Sequence, residues 1–412
     1  MRLAVLYIIF ITLSNFAFSK KVYLEDFSAD NFNKEIELAN PHDTIVVKSG
    51  NIKAESIIIR KPVCIIGENY PSISGKGKDH ILKIYADSVV IQGMEFNNSG
   101  YSYVQDRAAI RLDSSSRCNI SNNRFVNTMF AVYAARSKYL IISSNIFEGK
   151  GKGEAASGNA VHLWYCNDVI VRNNDIAGHR DGIYLEFTKG VKISENTSHK
   201  NIRYGLHFMF SHNAEYKKNI FLNNGSGVAV MYTSNVLMED NIFQDNLGAA
   251  SYGLLLKDIK ESKIINNKIL NNSTGIYIEG GGKNTFVNNI INNNAWAIRI
   301  LASSSENSFK NNIIVANSFD LSTNSTMNSN SFESNYWDKY SGYDINKDGF
   351  GDVPYYPVRL FAFIVEKNPP LIILLNSFFM FILDMAENII PSITPPTMID
   401  NAPLMKPIYD KI

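Results

Sequence analysis

The sequence predicts an all-β fold, a right-handed parallel β-helix built from coils of about 22 residues, and three observations carry that expectation. Asparagine recurs ahead of an apolar or mixed pair at Asn123, Asn145, Asn174, Asn196, Asn219, Asn241, Asn267, Asn289 and Asn312, at intervals of 22, 29, 22, 23, 22, 26, 22 and 23. A fixed period in the low twenties marks a solenoid. Within each period a short run alternates apolar and polar residues, as in Gly182-Ile183-Tyr184-Leu185-Glu186 and Gly275-Ile276-Tyr277-Ile278-Glu279, the period-2 pattern of a half-buried strand. Finally, the L-x-x-L-x-L frame and helix-like second half of a leucine-rich repeat are absent.

Ahead of the solenoid, residues 1–19 read as a secretory signal peptide. Arg2 supplies the positive start, Leu3 to Leu13 an apolar run broken only by Thr12, and Ala17-Phe18-Ser19 a small-x-small cleavage site. The apolar run is too short to span a bilayer comfortably, so export is expected. Forty basic against thirty-nine acidic residues leave a net charge of +1. No basic stripe of the kind nucleic-acid binding needs is present. Cys64, Cys118 and Cys166 show no paired spacing. They read as three small core residues, or as one disulfide and one free thiol.

Residues 20–335 form the expected β-helix, with two short strands per period. The first strand points Val161, Ile183, Leu206, Val228, Leu254 and Ile276 inward, together with Leu163, Leu185, Phe208, Val230, Leu256 and Ile278. The second, as in Val169-Ile170-Val171, leads into the asparagine. Stacked coils superimpose the asparagines, and a ladder of amides satisfies itself from rung to rung. From about Thr44 to Asn335 this gives roughly a dozen coils, ~60 Å at ~4.8 Å each. The long intervals fit loop insertions, the larger at Gly149 to Gly158.

The same frame places two rows outside. One reads Arg111, Tyr133, His162, Tyr184, His207, Ala229, Leu255, Tyr277 and Arg299. Its neighbour reads Asp113, Ala135, Trp164, Glu186, Met209, Met231, Lys257, Glu279 and Leu301. His162, Glu186, His207, Met209 and Met231 then share one face. Imidazole, carboxylate and thioether groups suit a soft or borderline metal such as copper, with His179, His199 and His212 in nearby turns. The same residues with Trp164 and Tyr184 also suit a protein-docking surface. Carbohydrate-acting β-helix enzymes need clustered carboxylates. The candidates here, Asp113, Asp181, Glu186, Arg180 and Arg203, are interleaved with aromatics and methionine, so catalysis is not expected.

Residues 336–357 contain Asp344, Asn346, Asp348 and Asp352 with Gly349, matching the first nine positions of a calcium loop. Tyr355 stands where the bidentate glutamate belongs, so a Ca²⁺-stabilised turn and a hydrogen-bonded turn both fit. In residues 358–412 the run Leu371 to Leu383 is apolar but 13 residues long, too short to span. It reads as a helical cap for the solenoid or as an element offered to a membrane protein, followed by a Pro-rich tail.

Several runs resemble the NosD family: Gly158-Asn159-Ala160-Val161-His162-Leu163-Trp164, Arg180-Asp181-Gly182-Ile183-Tyr184-Leu185-Glu186, and Arg203 to Ser211. So do Met231-Tyr232, the stretch from Asn335-Tyr336-Trp337-Asp338 to Pro354-Tyr355, and Ala402-Pro403-Leu404-Met405-Lys406-Pro407. The resemblance implies a periplasmic, non-catalytic subunit of an ABC transporter complex that matures the copper-sulfide centre of nitrous oxide reductase. Its implied partners are an ABC ATPase, a membrane permease, a copper chaperone and the reductase apoenzyme. Copper would pass transiently, with no tightly bound cofactor. A secreted polysaccharide lyase, hydrolase or epimerase is the alternative.

Overall fold

The computed structural model describes residues 19–408 apart from 152, 326–328, 376, 391, 392, 395 and 396. The expected signal peptide lies, up to residue 18, outside the described residues.

Among the described residues the strands form three parallel sheets of 14, 13 and 12 strands. The chain visits them in that order, coil after coil, so each strand pairs with its counterpart one coil away; Asn119–Ser121 with Ile141–Ser143 is one such pair. Each coil thus holds three strands, not two. The strand missed from sequence follows the asparagine, as in Asp175–Ala177 or Ile220–Leu222. Three residues are too few to display alternation, and only the central side chain of each, Ile176 or Phe221, enters the core.

The core is the triangular interior between the sheets. All twelve side chains expected to point inward from the 12-stranded sheet are fully buried there. Phenylalanines stack from coil to coil, Phe96 on Phe125 on Phe147 at 5.4 and 4.9 Å along the 13-stranded sheet, and Phe286 on Phe309 on Phe332 at 4.3 and 4.6 Å along the 14-stranded one. The expected asparagine ladder runs at the corner between the 14- and 13-stranded sheets. The Oδ1 of Asn145 accepts both the backbone N–H and the Nδ2 of Asn123, at 2.9 and 3.1 Å, and the pattern repeats to Asn335. Buried amides are thereby satisfied without water. A second ladder, from Asn201 through Asn224, Asn246, Asn272 and Asn294 to Asn317, holds the next corner.

Both ends of the core are covered. Near the N-terminus, helix α1 (Ala29–Leu38), capped by Ser28, buries Phe32 and Ile36 against it. At the other end helix α2 (Leu360–Lys367) lies on the outer side of the last coils of the 12-stranded sheet. Its Phe361, Ala362 and Val365 pack on Trp296 and Phe319, while Glu366 pairs with Arg299 at 2.8 Å. The apolar run Leu371 to Leu383 is not one helix. A 3₁₀ segment, Pro369–Leu374, gives way to helix α3 (Phe378–Ile389), whose N-terminus Ser377 caps. No helix among the described residues is long and apolar enough to cross a membrane.

Candidate functional site on the outer face of the 12-stranded sheet

The two outward rows stack in register. Arg111, Tyr133, His162, Tyr184, His207, Ala229, Leu255, Tyr277 and Arg299 oppose one another on successive strands, and Trp164, Glu186, Met209 and Met231 do so beside them. The structure therefore brings His162, Tyr184 and His207 together as consecutive rungs, and Glu186, Met209 and Met231 as the adjoining ones.

Outward does not mean exposed. His162 is 7% and His207 6% exposed, which corrects the expectation of an open histidine patch. The outer face carries its own apolar cluster, Ala108, Met129, Phe130, Tyr133 and Ala135, flanked by Tyr101 and Trp164. His162 is part of this packing: it stacks on Tyr133 at 4.2 Å and meets Phe130 and Tyr184 edge-on or tilted. Burial, then the charges of Arg180 and Arg111, push its pKa down to about 3, so the ring is neutral at neutral pH. His207 meets Tyr184 and Tyr204. The Nε2 atoms of both rings are buried without a hydrogen-bond partner among the described residues. What remains half-open is the second row, Trp164, Glu186, Met209 and Met231, with Tyr184.

One strongly charged group lies beneath this surface. Asp181, fully buried, accepts from Arg203 Nε and Nη2 at 2.9 and 2.6 Å. Burial would raise its pKa; His207, 3.6 Å away, and the bidentate Arg203 outweigh it and hold the carboxyl at about 2. Arg203 also reaches Glu154 at 3.4 Å, in the insertion between Gly149 and Gly158, and so ties that loop to the sheet. Asp113, another candidate carboxylate, is held by Arg136 at 2.6 and 2.8 Å.

The sequence reading missed a third row. Immediately after each of four outer strands stands an aromatic residue, Tyr165, Phe187, Phe210 and Tyr232, and their rings stack at 4.7, 5.2 and 4.9 Å. All four are partly exposed and all have left-handed backbones, φ between 50 and 54°. L-residues other than Asn and Asp pay for that conformation in steric repulsion, so the ladder is held in place against a local cost. The signal was visible as an aromatic one residue past the second outward row.

The remaining candidates do not converge here. His179 is buried in a turn, where desolvation lowers its pKa to about 4. His199 pairs with Asp175 at 2.9 Å on the 13-stranded sheet, and His212 bonds to Ser234. Among the described residues no group of three His, Cys, Asp or Glu is placed to hold a metal ion. The calcium-loop expectation is likewise not supported: the oxygens turn back onto the backbone. Asp344 accepts from the N–H of Asp348 and Gly349, Asn346 from Asp348, Asp348 from Phe350 and Asp352 from Ile345. The three cysteines are free, with Cys118 and Cys166 buried.

Residues 148–348 match the family model described as periplasmic copper-binding protein (NosD). A protein of Stutzerimonas stutzeri described as a probable ABC transporter binding protein NosD is 27% identical over 126 residues, which is 30% of this chain and 29% of that protein. The chain thus aligns with under a third of that relative. Among solved structures, a Family 28 exopolygalacturonase of Yersinia enterocolitica is similar with a TM-score of 0.60 at 9% identity, over 76% of this chain and 79% of that one. The catalytic domain of a GH87 α-1,3-glucanase gives 0.56 at 12%, over 77% and 69%. At these identities the likeness is one of fold. The coils that carry the histidine, methionine and aromatic rows lie within the residues, 148–348, that match the NosD family model.

Proposed function

We propose that this chain is the periplasmic β-helix subunit of an ABC-type complex needed to assemble the copper-sulfide centre of nitrous oxide reductase, and that it acts as a docking and transfer platform without catalysing a reaction. The observation that carries the reading is the family match itself, which falls on the coils bearing the half-open Met209–Met231 pair and the aromatic ladder. Copper here is cargo. Adjacent thioethers suit Cu(I) and are flexible enough to accept it from one protein and release it to another. His162 and His207 lie underneath and orient the surface instead of meeting the metal first. The copper chaperone and the apo-reductase would meet this face. The exposed side of α3, with Phe378, Phe381 and Ile382, would meet the permease that works with the ABC ATPase.

Catalysis on carbohydrate finds little support in the site, since Asp181 and Asp113 are each neutralised by an arginine. The reading is tested by deletion. A strain lacking this chain should export a reductase without its catalytic copper-sulfide cluster but with its other copper centre filled. Normal nitrous oxide respiration in that strain would overturn the proposal.

A further inference from the structure

Toward the N-terminal end the same outer face holds a polar hollow of about 410 Å³, lined among others by His80, Lys83, Gln105, Arg107 and Arg111. It lies outside residues 148–348, and the platform reading does not use it. Asp106 also lines it, so three acidic groups, Asp79, Asp106 and Asp113, stand with three basic ones, Lys83, Arg107 and Arg111, around the hollow, and these charges are unevenly spent. Asp79 is engaged by Lys83 and by the Ser56 hydroxyl. Asp113 is engaged by Arg136 through two short bonds. Arg111 is left with Asp113 at 3.8 Å, beyond hydrogen-bond length. Its guanidinium stacks on the Tyr133 ring at 3.9 Å, which fixes the plane of the fork in a mostly buried setting. A planar guanidinium with unspent N–H groups is matched in geometry by a carboxylate, bound through two parallel hydrogen bonds.

A second donor stands beside it. His80 Nδ1 accepts the Ala108 N–H at 3.0 Å, which leaves the ring proton on Nε2. Burial and the Arg111 charge hold this imidazole at about 4, so it is neutral at neutral pH and serves as a donor without adding charge. The loop that contributes Gln105 and Arg107 to the wall also carries Tyr103 and Val104 at its tip, 83% and 93% exposed. A charged fork next to an exposed apolar tip fits a peptide segment that has an acidic side chain flanked by apolar ones.

We propose that this hollow is a recognition site for an acidic peptide segment of a protein partner, whose carboxylate seats on Arg111 and His80 while its flanking apolar side chains contact Tyr103 and Val104.

The test is calorimetric titration of the full mature chain with two acetylated octapeptides, one with a Leu-Glu-Glu-Leu centre and one with Leu-Gln-Gln-Leu, alongside glutarate and trigalacturonate. The glutamate peptide should bind at least tenfold more tightly than its glutamine counterpart. Arg111→Gln should abolish that difference with an unchanged thermal midpoint. Val104→Ser should weaken the peptide but not glutarate. If Arg111→Gln lowers the midpoint, Arg111→Lys is read in its place, since it keeps the charge and loses the fork; peptide binding must still fall. Equal binding of the two peptides, undiminished binding by Arg111→Lys, or binding of trigalacturonate in place of the peptide would each overturn the proposal. None of these outcomes bears on whether deletion blocks cluster assembly.

Discussion

Asp400 terminates the asparagine ladder that Asn335 would otherwise leave open. Its Oδ2 accepts the backbone N–H and the Nδ2 of Asn335, both at 3.0 Å, in the place where each earlier rung meets the amide oxygen of the next asparagine. The same oxygen takes the Trp337 indole N–H at 3.1 Å, and the backbone of Asp400 exchanges two hydrogen bonds with Tyr355. The other carboxylate oxygen accepts the Ser334 N–H at 3.2 Å, so Asp400→Ala should leave four buried donors without this acceptor, at a cost on the order of 4 kcal/mol. Asp400→Asn, which retains an acceptor oxygen, should cost less. Hydrogen exchange should show the loss concentrated in the last coils, from Asn312 to Trp337.

The buried histidines set an acid limit. The pKa values of His80, His162 and His179 lie near 4, 3 and 4 in the folded chain, below the ~6.5 of an unfolded histidine. The unfolded state then binds more protons as pH falls, so stability is full above ~6.5 and declines below it. The slope is about 1.4 kcal/mol per pH unit for each fully titrating histidine. Asp181, held at about 2, adds a further loss as pH falls from ~4 toward 2. Denaturant titrations at pH 7.5, 6 and 5 check the order, and His162→Phe should flatten the dependence. A stability that is flat from pH 7.5 to 5 would contradict it.

Histidine and methionine substitutions should separate. His162→Ala opens a buried stack and should destabilise the chain by about 2–4 kcal/mol. Met209→Ala with Met231→Ala removes partly exposed side chains and should leave stability within about 1 kcal/mol while lowering copper-cluster assembly in cells. Wild-type assembly by the double methionine variant would put the transfer surface elsewhere.

The aromatic ladder should behave as surface kept for contact. Phe210→Asn relieves a left-handed strain of about 1–2 kcal/mol and forfeits two stacked contacts of comparable worth. Unfolding should thus change little, whereas co-purification with partner proteins should weaken.

Truncation after Pro357 would not isolate the contribution of α3, because it also removes α2 from Trp296 and Phe319 and Asp400 from the ladder. Substituting Phe378, Phe381 and Ile382 by serine removes exposed apolar area alone. The variant should melt like the parent and fail to co-purify with the membrane subunits.

The register of the outer rows was legible in the sequence because asparagine marks every coil, and counting from it fixes each strand position. The burial of His162 was not, because pleat direction says which face a side chain leaves from but not what stands beside it. The cover comes from Tyr133 one coil earlier and Tyr184 one coil later, which a linear reading assigns to solvent, and from Phe130 at the start of the earlier strand. The second ladder from Asn201 to Asn317 repeats at the same period and was open to the same counting. Helix α1 and the role of Asp400 were not, since each is defined by what it touches across a long stretch of chain. Asp344 to Asp352 matched a motif by spacing, yet their oxygens are consumed by local amides.

Three hydrogen-bonded sheets running along one axis make the solenoid stiff in that direction, with each coil adding a nearly fixed increment of ~4.8 Å. Nine strand steps separate Arg111 from the strand on which α2 rests, a reach on the order of 40 Å. The molecule is in this sense a ruler. Whatever seats near Arg111 and whatever meets α3 are held at a separation written into the number of coils, and adding or deleting one coil would shift it by a single increment without touching either surface.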